Sequence, residues 1–181
     1  MDTLGLLAHP IRLRVVHALR GGRVLTTGQL CSLIPDASKA TVYRHVDLLA
    51  AGGILDVAGE RRVRGAVERR YQLRQDHAGI DAETARALTA QDHERAFAAA
   101  AAALVAEFGA YLDRDGSDPV DDLVGYRQHA IWLSRDELVG LIGAMQSAIA
   151  PLLANESTPE RARYLLSPIL FPTEQQENPP S

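Results

Sequence analysis

The chain has 181 residues, 46% of them apolar, which is enough for a packed core and too many for a disordered chain. No run approaches the ~20 consecutive apolar residues of a membrane span, the opening Met1-Asp-Thr-Leu-Gly5 lacks the basic start of a signal peptide, and the single cysteine, Cys31, excludes an internal disulfide framework. The net charge of −4 is unevenly spread: residues 1–76 carry 12 Lys/Arg against 7 Asp/Glu, +5, while residues 77–181 carry 7 against 16, −9. These features predict a cytoplasmic protein whose first part faces an anionic partner.

In chain order, His9-Pro10 opens a helix, because proline suits the first helical position. Ile11, Val15, Ala18 and Leu19 form its apolar stripe, with Arg12 and Arg14 on other faces, and Gly21-Gly22 ends it. Thr26-Thr-Gly-Gln29 has the spacing of a capping box. The helix it starts carries Leu30, Leu33 and Ile34 and stops at Pro35-Asp36. Ser38 caps a third helix, in which Val42, Val46 and Leu49 recur at core-facing spacing. Gly52-Gly53 permits a tight exit. Strand-like stretches follow at 54–58, 62–63 and 67–73, with a turn at Gly65-Ala66.

Residues 81 to about 112 read as one long helix, with Phe97, Ala101, Leu104, Phe108, Tyr111 and Leu112 on one face. Roughly 30 residues would span about 45 Å, too long to pack on one small domain, so a partner helix is expected. The alanine run at 98–103 lets another helix approach closely. A polar linker at 113–122 leads to a strand-like stretch at 124–133. A helix from Ser134 to about Leu153 follows, then a second strand-like stretch at 162–171, which Pro168 confines to an edge or a bulge. The predicted fold is α+β, mainly helical. It comprises a helix-and-hairpin domain at 1–76, a linking helix at 77–115, a small α+β domain at 116–171 and a mobile tail at 172–181.

The third helix and the hairpin carry the chemistry. A helix fits the major groove and its exposed side chains reach base edges. Ser38, Lys39, Thr41, Tyr43 and Arg44 are the candidates there, Arg44 for a base and Lys39 for a phosphate. Arg61, Arg62, Arg64, Arg69 and Arg70 are the hairpin candidates, since arginines at such a tip track phosphates or enter the minor groove. The alternative is a winged helix serving as a protein-interaction module without specific DNA binding.

His9-Pro-Ile-Arg-Leu-Arg-Val-Val-His-Ala-Leu19 resembles the opening helix of ArsR-type transcriptional regulators. Ser38-Lys-Ala-Thr-Val-Tyr-Arg-His45, with Leu49 and Gly52-Gly-Ile54, resembles their recognition helix and its exit. Val63-Arg-Gly-Ala-Val-Glu-Arg-Arg-Tyr71 is similar to the wing of related regulators. The resemblance covers about residues 4–75. It implies a winged helix-turn-helix homodimer that represses or activates from a roughly palindromic operator on double-stranded DNA.

Some relatives sense metals through a Cys-x-Cys pair. Here the stretch is Gln29-Leu-Cys31-Ser-Leu33, whose second cysteine position is leucine, so Cys31 reads as a core residue. Asp92-His93-Glu94 are adjacent and diverge, and 113–118 lacks the glycine and glutamate positions of a calcium loop. No metal, cofactor or catalytic arrangement is expected, and so no enzyme. Beyond the first domain, Phe97, Ala101, Leu104, Phe108 and Tyr111 are the dimerisation candidates. Tyr126, Gln128 and Trp132 would alternate onto one strand face and are the candidates for a small-molecule effector.

Overall fold

The computed structural model describes residues 3–63, 66–74 and 86–174. The chain divides after Ser134 into two compact units. The first contains α1 (Thr3–Leu7), α2 (Pro10–Leu19), β1 (Leu25–Thr26), α3 (Thr27–Leu33), α4 (Lys39–Ala51), β2 (Leu55–Val63), β3 (Ala66–Leu73) and α5 (Ala90–Leu112). The three strands form one antiparallel sheet in the order β1-β3-β2.

Local chemistry sets these boundaries. The His9 imidazole caps α2, its Nδ1 accepting from the Ile11 amide at 3.2 Å, and Pro10 takes the first helical position. Thr26 and Gln29 form the expected capping box on α3. Ser38 caps α4 by accepting from the Thr41 amide at 3.2 Å. Gly21, Gly22 and Gly53 take positive φ, which glycine adopts without a Cβ clash. At Gly52 a Cβ would collide with the Leu6 side chain, so α1 seats directly on the exit of α4.

Val15, Val16 and Leu19 of α2, Leu30 and Ile34 at α3, Val42, Val46 and Leu49 of α4, and Ile54 are fully buried and make one core. Burying a side chain of this kind stabilises by about 1.5–3 kcal/mol, so the three helices are held mainly by this shared interior. Tyr71 and Leu55 join it from the sheet.

Several expectations need correction. α1 and β1 were not anticipated; β1 is two residues long and exists through its pairing with Tyr71 and Arg70 of β3. The strand expected to break at 59–61 runs on to Val63, absorbing the irregularity as a bulge between Val57 and Gly59. The long helix begins at Ala90. Thr89 stops it there with a second capping box, in which Asp92 returns a bond to the Thr89 backbone. Its 23 residues span about 34 Å. The expected part at 81–85 lies outside the described residues. Arg12 and Arg14, off the apolar stripe of α2, are both buried.

The alanine face of α5 meets a helix, as expected of so small a surface, and that helix is α2 of the same chain. Ala99 and Ala103 are buried, and Glu107 Oε1 lies 2.7 Å from His17 Nδ1. At the end of α5, Tyr111 donates to Asp122 at 2.6 Å, and beyond the helix Asp118 accepts from the Val120 and Asp121 amides, fixing a short turn.

The strands expected at 124–133 and 162–171 do not form; both stretches are irregular chain. Strand-type side chains need a ladder partner, and neither segment has one among the described residues. The C-terminal α+β architecture is therefore not observed among the described residues. The second unit contributes one helix, α6 (Arg135–Leu153), with no buried residue and with Pro151 in its last turn. Averaged over eighteen residues, α5 and α6 are each long and apolar enough to cross a membrane by length and composition alone, although neither is an uninterrupted apolar run. The buried alanines and the Glu107–His17 bond mark α5 as a packing helix.

Candidate nucleic-acid interface

Helix α4 is built as a two-faced element. Val42, Val46 and Leu49 enter the core at 0% exposure, and the opposite side carries Lys39, Ala40, Tyr43, Arg44 and Asp47 in solvent. Lys39 and Arg44 form no ion pair among the described residues. Tyr43 is half exposed. Ser38 and Thr41 are committed to the cap, their hydroxyls 2.8 Å apart, so they fix the start of the helix.

The turn between α3 and α4 is clamped from beneath. Arg14, 3% exposed, donates through both terminal nitrogens to Asp36, each bond 2.7 Å. This fork holds the Asp36 carboxyl below its ordinary pKa. The angle between the two helices is thereby tied to α2. The one-letter pattern could have signalled this pair only through the acid in the turn, since Arg14 falls off the apolar stripe of α2.

His45, whose place beside Arg44 could suit a phosphate contact and whose type more often caps or packs in such helices, is packed. It is 4% exposed, and neither ring nitrogen has a hydrogen-bond partner. Its ring lies against His9, with centroids 4.2 Å apart and planes tilted by 38°. Burial, then His9, Arg44 and Arg12, lower its pKa to about 4. His9 is lowered by burial, Arg12 and Arg44. Both rings are therefore neutral near pH 7.

The hairpin arginines divide between two faces. Register pairs Glu60 with Arg69, Arg61 with Glu68, Arg62 with Val67 and Gly59 with Arg70. Strand alternation then puts Arg62 and Arg69 on the face that holds Tyr71, and Arg61 and Arg70 on the other. Arg69 donates to Glu60 at 2.8 Å and is partly neutralised. Arg61 and Arg70 line a shallow groove with Gln29 and Thr26. Arg64 lies outside the described residues. Arg74, near the base, forks onto Asp56 and fixes the strand ends.

The other candidates are placed as follows. Phe97 and Phe108 are exposed, and Ala101, Leu104 and Tyr111 are partly exposed, along a face of α5 that α2 does not cover. Tyr126 and Trp132 are 80% and 84% exposed and Gln128 is also exposed, so the three enclose no pocket. The strand that would have aligned them is absent, and Tyr126 instead meets the edge of Phe108. Cys31 is buried and borders a groove with Lys39 and Tyr43. Among the described residues no three of His, Cys, Asp and Glu converge as metal ligands, and Asp92 is engaged by Thr89.

No curated protein matches the chain. Residues 7–58, which run from the end of α1 into β2, match the family model described as a helix-turn-helix domain. The N-terminal part of this chain is thus a helix-turn-helix domain, and it points to a DNA-binding regulator of transcription.

Proposed function

We propose that the chain is a sequence-specific, cytoplasmic transcription regulator of the ArsR-like winged helix-turn-helix type, acting as a homodimer on a roughly palindromic operator. The observation that carries this reading is the outer face of α4, where Lys39, Tyr43 and Arg44 stand in solvent with no acidic partner among the described residues, on a helix seated by its opposite side. In this reading α4 enters the major groove and the β2–β3 hairpin is the wing, reaching backbone or minor groove through Arg61, Arg62 and Arg70.

The second protomer is inferred from α5. Phe97, Val105, Phe108 and Leu112 are 40–73% exposed on one side of a helix whose other side is already packed. A monomer seldom leaves so continuous an apolar surface open, and a twofold pairing of α5 would hold two α4 helices at a fixed spacing. Control by a small-molecule effector belongs to the same reading and would act by favouring one dimer geometry. The exposed Tyr126, Gln128 and Trp132 would need the second protomer or a rearrangement to enclose a ligand.

The test is a DNA titration at several salt concentrations. The reading expects affinity to fall steeply as salt rises. Absence of binding even at low salt would favour a protein-interaction module.

A further inference from the structure

One edge of the reading face carries more positive charge than the fold balances. His45 sits on α4 between the core stripe and Arg44, and there the α4 helix meets the first turn of α2. Arg12 lies in that first turn, nine-tenths buried, with its Nε unpartnered. A cation at a helix N-terminus opposes the helix dipole, and α2 has no acidic residue in its first turn. Among the described residues no ion pair reaches Arg12 or Arg44. Burial lowers the Arg12 pKa.

His9 completes the arrangement. Its Nδ1 accepts from the Ile11 amide, so the neutral ring carries its proton on Nε2. That Nε2–H is a donor whose orientation is fixed by the cap and by the His45 ring. The cluster therefore combines two guanidinium groups, one oriented imidazole N–H and the positive end of a ten-residue helix, with no anion among them.

We propose that His9 and Arg12, backed by His45 and beside the base-reading Arg44, bind one phosphodiester of the DNA strand that flanks α4. A helix lying in the major groove has a phosphate backbone along each flank, and this cluster borders one of them. The site rests on the DNA-binding reading above. It adds a contact from α2, an element outside the two helices of the helix-turn-helix proper, that fixes the depth and register of α4 without reading bases.

The experiment compares wild type, Arg12→Gln and His9→Asn on an operator duplex and a random duplex, across salt concentration. Asparagine preserves the α2 cap while removing the Nε2–H. Arg12→Gln should lower the slope of log affinity against log salt by about 1 and weaken both duplexes by the same factor. His9→Asn should weaken both several-fold with the slope retained. Folding is checked by thermal melting; should Arg12→Gln fail to fold, His9→Asn decides alone. Folded variants with wild-type affinity and slope overturn the site and leave the DNA reading standing, as does a loss confined to the operator. Wild type that binds neither duplex at low salt removes both.

Discussion

Arg14 on α2 and His45 on α4, two helices in contact, have contrasting electrostatic situations. Both terminal nitrogens of the buried Arg14 are answered by Asp36, whereas neither ring nitrogen of the buried His45 has a partner. Truncating the acid should therefore cost more than truncating the base. Asp36→Ala leaves a buried guanidinium alone, while Arg14→Met keeps the packed stem and removes the charge. Loss of bonds to charged groups costs about 1.5–3 kcal/mol, and urea unfolding should place Arg14→Met in that range and Asp36→Ala beyond it. Wild-type midpoints in both variants would show that the fork contributes nothing. For His45 the sign is worked from its lowered pKa. The unfolded ring takes a proton near 6.5 and the folded ring only near 4. Stability is thus complete above about pH 6.5 and is lost as pH falls toward 4. His45→Leu should flatten the melting temperature across that window; an unchanged slope would mean the ring is not protected.

At the scale of elements, the three helices and the hairpin were legible because each announces itself locally. Val42, Val46 and Leu49 repeat at helical spacing, and Thr26, Gln29 and Ser38 cap where caps are needed. The two-residue β1 was not legible, since only its pairing with β3 makes it a strand. The stretches at 124–133 and 162–171 failed for the same reason in reverse: their composition suits a sheet, but among the described residues no strand pairs with them. Thr89 was overlooked within an otherwise helical pattern, though Thr89 and Asp92 have capping spacing. At the exit of α4, Gly53 at φ +75° predicts that Gly53→Ala destabilises by about 1 kcal/mol, read from the denaturation midpoint. No change there would mean that the exit relaxes freely. For α5, Leu104→Glu places a charge within the uncovered apolar face. Light scattering should shift from dimer to monomer, while helix content is kept. A wild-type monomer at micromolar concentration would end the pairing proposal.

On the scale of the whole molecule, charge and packing divide the labour. The basic first part presents α4 and the hairpin, and the acidic remainder presents long, largely uncovered apolar helices. The candidate reading residues could be named from sequence because exposed polar positions are what remains once a core stripe is drawn. Arg12, His9 and His45 could not be gathered that way, because their meeting depends on how α2 crosses α4. The candidate effector face dissolved because its alignment assumed a strand. The central claim is that α4 reads base sequence, and Arg44 tests it most directly. Fragments selected from genomic DNA by the wild-type protein should supply an operator. On that operator Arg44→Ala should lose about 1–3 kcal/mol of binding, and clearly less on random DNA. An equal loss on both duplexes, or none on either, would contradict the claim.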